Sequence, residues 1–381
     1  MELFKHRIRI KNISMPNHTH KQILVPTLLV LALTATSLLA LGDKYAGEFL
    51  KFGLGVREMA LGGAVISEPS PVVAHYWNPA ALTQNAALSG ELMHTEEFAG
   101  VLSLDHFALA VPAKGEYSYG FGYFRIGVDD IPDTRDALLD LGTDGLGPGD
   151  DGYTGPDADG TEGNGKLDPG ERLDYGEFGT FGASENVAFF SMAKQLRSKL
   201  QVGGTLKAIY RSLGDDKAYG LGFDIGALYQ LTPRINLAAV FNDATTTFML
   251  WNDGEREIVA PSLKLGGSAH YALKRLPLKF NPSLGADILF EGEENAADLT
   301  LGGVVIRARL GMELIYKDVL AIRAGRDDLG NPQVGLGLNT AVGSFDYGLG
   351  LGGSYTEFGS SHRVALTLHF AELQRAIKRY L

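Results

Sequence analysis

Lys199-Leu-Gln-Val-Gly-Gly-Thr-Leu-Lys-Ala-Ile-Tyr-Arg211 and, after a polar turn, Tyr219-Gly-Leu-Gly-Phe-Asp-Ile-Gly-Ala-Leu-Tyr229 decide the fold. In the first run Leu200, Val202, Leu206, Ala208 and Tyr210 alternate with Lys199, Gln201, Thr205, Lys207 and Arg211. In the second, Tyr219, Leu221, Phe223, Ile225, Ala227 and Tyr229 alternate mainly with Gly220, Gly222, Asp224 and Gly226. Successive side chains on a strand point to opposite faces, so each run has one apolar and one polar or very small face. That is the pattern of a transmembrane β-barrel, whose outer face meets lipid and whose inner face is polar or tightly packed.

The composition agrees. The chain has 381 residues, 49 of them Gly and none Cys, with a mean hydropathy of +0.00. It can bury a large core but lacks the repeated long apolar spans of a helical membrane bundle. Without cysteine there are no disulfides or thiolate metal sites, which suits an oxidising compartment. A soluble β-sandwich is the alternative for the same strands, and it would need a second sheet with a matching apolar face.

The start of the chain reads as a targeting segment. Lys5, Arg7, Arg9, Lys11 and Lys21 face only Glu2 in the first 22 residues, and Ile23 to Leu41 is almost unbroken apolar sequence. This order marks a secretory signal over 1–42, with small residues at Ala40 and Gly42 and a mature chain from Asp43. An inner-membrane anchor is the competing reading of the same run.

No long charge-free helix follows. Strands are expected near 101–112, 117–127, 185–197, 199–211, 218–230, 233–241, 261–273, 277–290, 297–307, 309–316, 319–326, 332–340, 344–354 and 361–370, with a further apolar stretch at 86–94 outside the count. A strand-rich chain in lipid must close its edges, and fourteen is an even number, as single-chain bacterial barrels require. Turn chemistry at Leu213-Gly-Asp-Asp216, Leu231-Thr-Pro-Arg234 and Asp327-Asp-Leu-Gly-Asn-Pro332 joins neighbouring antiparallel strands. Glycines inside strands suit bends and close packing around an inner plug.

The longest interruption, Asp129 to Glu177, holds twelve Asp and three Glu against Arg135, Lys166 and Arg172, a net of twelve negative charges. The whole chain carries −11, so the remainder sums to about +1. A loop of that length is functional, disordered or ligand-stabilised, and an extracellular position is expected for it. Within it, Gly160 to Glu171 falls on the twelve-position calcium-loop template. Glu162, Asn164, Asp168 and Glu171 take positions 3, 5, 9 and 12, Gly165 the turn position and the Lys166 carbonyl position 7. Position 1 is Gly160, not Asp, so Ca2+ ligation and a solvated acidic loop both fit; no other cofactor is called for.

Between signal and barrel, 43–85 is rich in Gly and small residues and compatible with a compact irregular segment. Arg57 and Glu58 can pair with groups lining a lumen. Its glycines lack the spacing of a dinucleotide fingerprint. His75, Tyr76 and Trp77 could touch a ligand, although packing against the barrel wall is the plainer reading. Asn78, Pro79 and Ala80 have the chemistry of a rigid, closely packed turn.

Several of these stretches together resemble a known family. Gly55-Val-Arg-Glu-Met-Ala-Leu-Gly-Gly-Ala64, Tyr76-Trp-Asn-Pro-Ala-Ala-Leu82, Asp130-Ile-Pro132, Phe181-Gly-Ala-Ser-Glu185 and His362-Arg-Val-Ala-Leu-Thr-Leu-His-Phe370 are similar to the PorV/PorQ family, within the wider FadL-like outer-membrane barrels. The resemblance spans about 48–370. It implies a fourteen-stranded barrel in the outer membrane of a diderm bacterium, with 43–85 folded inside as a hatch that includes Asn78, Pro79 and Ala80. It implies one of two roles: passage or binding of hydrophobic small molecules, as in FadL-like transporters, or type IX secretion, in which a PorV-type barrel receives protein cargo and delivers it to a surface-attachment complex. Membrane lipids and the barrel-assembly machinery are implied partners in either case. The chain departs from the family in its acidic insertion and in continuing past Phe370 to Leu381, a tail expected to form a short amphipathic helix at the periplasmic rim with Leu373, Ile377 and Leu381 on one face.

Other function classes find little support. His94, His106, His270, His362 and His369 show no spacing that sets up a nucleophile, base and acid, so no enzyme is expected. A net charge of −11 without a basic, aromatic-laced stripe argues against nucleic acid.

Overall fold

The computed structural model describes residues 48–97, 100–273, 275–290, 297–351 and 360–380. The expected signal segment and its cleavage point before Asp43 lie outside the described residues, as do the first residues of the 43–85 segment.

Fourteen antiparallel staves form a closed ring: β1 (Ser89–Glu97), β2 (Leu102–Lys114), β3 (Tyr117–Asp133), β4 (Gly179–Arg197), β5 (Leu200–Leu213), β6 (Asp216–Thr232), β7 (Ile235–Asn242), β8 (Ser262–Ala269), β9 (Leu278–Leu289), β10 (Val304–Tyr316), β11 (Leu320–Arg326), β12 (Pro332–Asn339), β13 (Gly343–Gly350) and β14 (Ser361–His369). Each pairs with its neighbour in sequence, and β14 returns to β1 with Ser89 opposite His369 and Glu96 opposite His362, so no edge is left open. Four short pieces, Thr247–Trp251, Arg256–Val259, Tyr271–Ala272 and Leu299–Leu301, extend the ring locally.

The expected strand total holds, but two of its members do not. The stretch near 86–94 supplies the first stave, β1. Only Leu92 gives that stave's outer face a large exposed apolar side chain, followed by His94 and Glu96, so its lipid signature is faint. Residues 297–307 and 309–316 are not two staves. Gly302 and Gly303 both take positive φ and turn the short 299–301 piece back onto a single strand, β10.

Alternation follows the sequence pattern. In β5 and β6, Leu206, Tyr219, Leu221, Ile225 and Tyr229 are exposed while Thr205, Lys207, Ile209 and Asp224 are buried. Every stave exposes at least one large apolar side chain, from Leu92 through Phe190, Leu206 and Leu284 to Leu366. Tyr219 and Tyr229 bound this belt on β6. Ten residues at about 3.3 Å each, tilted by roughly 40°, rise about 25 Å, the height of a barrel's apolar band. An apolar belt of that height, thinnest at β1, belongs in lipid, and the protein is a transmembrane barrel.

The two ends differ. Connections 115–116, 198–199, 233–234, 317–319 and 340–342, together with residues 270–273, lie at one end, whereas 134–178 and 243–261 project from the other. The motif Asp130-Ile131-Pro132 forms a bulge on β3 toward the long-loop end, where the register with β4 shifts between Val128 and Ile131 and Asp130 adopts φ 56°.

Residues 48–85 run through the lumen as short helical turns, including α1 (Val56–Ala60) and α2 (Ala74–Trp77). α1 packs on β11, β12, β13 and β14, and the turn Pro79–Gln84 packs on β2 through β6. Val73, Ala74, Ala80, Ala81 and Leu82 are wholly buried. The core therefore lies between this segment and the inner wall. The tail forms α3 (Phe370–Tyr380) at the short-turn end, as expected, with Leu381 outside the described residues.

Candidate functional site

The 78–80 turn clamps the inner segment to the wall. Asn78 caps the helical turn Pro79–Gln84: its Oδ1 accepts from the Ala80 N–H at 3.1 Å. Pro79 sits at the first position, where its missing donor costs nothing. The same side chain's Nδ2 donates to the Ile66 carbonyl at 2.8 Å and to the Ala227 carbonyl of β6 at 3.2 Å. One buried amide thus holds two parts of the inner segment and one stave. The fit depends on wall glycines: a methyl on Gly226 would collide with Asn78, and one on Gly203 would lie 2.7 Å from the Ala80 nitrogen.

Arg57 and Glu58 enter a buried ionic network. The Arg57 guanidinium meets Glu313 of β10 through two bonds of 3.0 Å each and donates to the Glu68 carbonyl at 3.1 Å. Glu58 accepts from Arg57 at 3.3 Å and from the Ser70 N–H at 2.9 Å. Glu313 continues to Arg323 at 2.8 Å, and Arg323 to Asp346 at 2.5 Å. Further pairs line the wall: Arg309 with Asp287 and Asp328, Lys207 with Asp224 and Asp243, and Arg363 with Glu97. The sequence reading did not single out Glu313, Arg309 or Arg323. Their signal was available, because Arg307, Arg309 and Glu313 share one parity of β10 while Leu310 and Met312 hold the other.

His75, Tyr76 and Trp77 pack between the inner segment and the wall. The Trp77 indole donates to the Leu54 carbonyl at 2.6 Å, and the Tyr76 hydroxyl donates to the Leu50 carbonyl. His75 Nε2 lies 3.2 Å from His106 Nε2 on β2, and its ring sits 5.0 Å from that of Phe189. Gly122 leaves the space that the His75 ring occupies. The other histidines among the described residues sit apart: His94 pairs with Asp105, His270 with Glu68, His362 with Tyr347, and His369 with the Ala341 carbonyl.

On the lipid-facing side of β7 to β11 lies an apolar groove of about 820 Å³. Leu237, Leu265, Leu284, Leu310 and Met312 stand around it, and Gly267, Ala286 and Ala324 form its floor. Behind that floor the wall is bare backbone at Gly266, Gly285, Gly311 and Gly325, and 61–66 of the inner segment presses on it from within. A methyl on Gly325 would overlap Leu61 and Gly62, and one on Gly285 would touch Ala64 at 3.7 Å. Here a lipid-side groove and the luminal segment are separated by a single layer of backbone.

The acidic loop is knitted together by carboxylates accepting from backbone. Leu138–Leu139 pairs with Arg172–Leu173 at its base. Asp140 accepts from the Gly163 and Gly165 N–H groups at 2.7 and 2.6 Å. Those bonds hold its carboxyl below the ordinary range, as the bonds from Thr161 do for Asp159. Of the five candidate calcium positions, Glu162 accepts from Tyr153 and the Asp157 N–H, and Glu171 accepts from the Gly142 and Asp168 N–H groups. Asn164 donates to Asp168 at 2.6 Å and accepts from the Lys166 N–H at 2.7 Å. Among the described residues no group of three or more His, Asp or Glu is arranged to hold a metal ion. Asp140, which organises this region, lies outside the template that drew attention to it.

No protein-family model and no curated protein matches the chain. Solved structures do. The Pseudomonas putida toluene transporter TodX aligns at a TM-score of 0.50 and 12% identity over 84% of this chain and 99% of that one. The Ralstonia pickettii toluene transporter TbuX gives 0.49 at 12% identity over 84% and 99%, and a Pseudomonas aeruginosa FadL homologue 0.46 at 11% over 83% and 97%. At these identities the likeness is one of fold alone, shared with TodX over 84% of this chain.

Proposed function

We propose that the protein works in the outer membrane of a diderm bacterium as a plugged barrel that binds or passes hydrophobic small molecules, with 43–85 as its hatch. The observation that carries this is the groove on β7 to β11. An apolar recess opens toward lipid where the inner segment lies directly behind a glycine wall, so a hydrophobic molecule held there is one backbone layer from the lumen. A modest rearrangement of 61–66 against those glycines would join the two spaces without any catalytic group. The fold shared with a toluene transporter supports the same reading. With short connections at the periplasmic end, the 129–177 loop is extracellular. Within it, Ca2+ held by Glu162, Asn164, Asp168, Glu171 and the Lys166 carbonyl would exchange the present backbone bonds for carboxylate ligation.

The second reading is a PorV-like shuttle for type IX secretion. It rests on the motif set at 55–64, 76–82, 130–132, 181–185 and 362–370 and on the large acidic loop, a surface able to meet protein cargo. Purification of the full chain in mild detergent, followed by mass spectrometry and by uptake of a fatty acid and a monoaromatic hydrocarbon into liposomes, separates the two. Bound lipid or hydrocarbon and uptake above empty liposomes favour transport. Co-purified cargo and attachment proteins with no uptake favour secretion and overturn the transport reading.

A further inference from the structure

The helix that ends the described chain has a lipid-facing side and a basic side, and both follow from where it starts. The outward stripe of β14 runs through the exposed Val364 and Leu366 to Phe370. A Cβ built at Gly90, on the outward parity of β1, would touch the Phe370 ring at 3.1 Å, so that ring lies on the outside of the barrel. Phe370 is also the first residue of α3. Leu373 and Ile377, three and seven positions on, share its helix face, and Ile377 is 50% exposed. The apolar face of α3 therefore continues the belt that meets lipid.

The other side of α3 carries Arg375, Lys378 and Arg379, all exposed, against Glu372 alone. This excess of positive charge sits in a chain of net −11. The exposed rings of Tyr229, Tyr271 and Tyr316 lie at the same short-turn end of the barrel, where aromatic side chains mark the level of lipid headgroups.

We propose that α3 is a membrane-surface helix that seats its Phe370–Leu373–Ile377 face in the leaflet around the short-turn rim and binds anionic phospholipid headgroups through Arg375, Lys378 and Arg379. It tethers the closing β14–β1 seam to that leaflet. The proposal rests on the transmembrane reading with the short-turn end in the periplasm.

The test uses the full chain in two kinds of nanodisc, one of phosphatidylcholine alone and one containing phosphatidylglycerol. Amide hydrogen exchange over 371–380 is expected to be roughly tenfold slower in the anionic discs. Combining Arg375→Glu, Lys378→Glu and Arg379→Glu removes that difference, and Ile377→Asp speeds exchange in both discs. Equal exchange of the unaltered chain in both discs, or a lipid dependence that survives the triple charge reversal, overturns the proposal. Both outcomes are read on chain that still migrates as a folded, heat-modifiable barrel; loss of that property would count against the transmembrane reading instead.

Discussion

Asn78 satisfies both ends of a buried amide and ties the inner segment to β6. Removing it leaves the Ile66 carbonyl and the Ala80 N–H without this partner, at about 1–3 kcal/mol for each buried group left unsatisfied. Asn78→Ala is expected to leave barrel assembly intact while raising amide exchange over 64–82 and altering uptake or cargo release; unchanged exchange and delivery would leave the turn with a packing role alone. Glu313 is a more severe site, because Arg57 and Arg323 both end on it. Glu313→Ala leaves Arg57 with Glu58 and Arg323 with Asp346 but removes the carboxylate that joins them, and should lower stability by about 1.5–3 kcal/mol for each lost charged contact in urea titrations of the detergent-solubilised barrel. Asn78 and Pro79 were legible because capping is local chemistry. Ala227 and Glu313 were not, since the inner segment meets them only after the ring closes.

The acidic loop is the element with the clearest dependence on solution conditions. Asp140 and Asp159 have folded pKa values below their ordinary 3.8. Their contribution to loop order is therefore complete above the unfolded value and is lost as pH falls through the lower, folded value. Pepsin cleavage within 134–178, normalised to an unfolded reference peptide, should rise as pH drops from about 5 to about 2. Asp140→Asn should raise cleavage already at the upper end of that range. Calcium at millimolar levels is expected to protect the same segment, with protection weakened by Asp168→Asn and Glu171→Gln; protection that ignores calcium would leave a solvated acidic loop. At this scale the sequence was most legible where both faces spoke clearly, as in β5 and β6. It is least legible in β1, where polar residues follow Leu92 on the outer face, and at 297–316, where the Gly302-Gly303 turn lies inside a stretch with the pattern of two strands.

For the molecule as a whole, the apolar belt, the closed ring and the filled lumen depend on one another. Closure removes the edges that lipid cannot solvate, alternation sends charge inward, and the luminal segment supplies partners for part of that charge. The even strand total held because the stave missed at 86–94 offset the stretch 297–316 counted as two strands; that strand glycines would pack closely around an inner segment was legible in the sequence. Which glycines face the inner segment followed only from the curvature of the closed ring. The most direct test is fractionation of cells producing the full chain, followed by gel migration of heated and unheated samples. A closed transmembrane barrel is recovered with outer membranes, requires detergent for extraction and changes mobility on heating. Recovery as a soluble periplasmic monomer without detergent, with no heat-dependent shift, would contradict it.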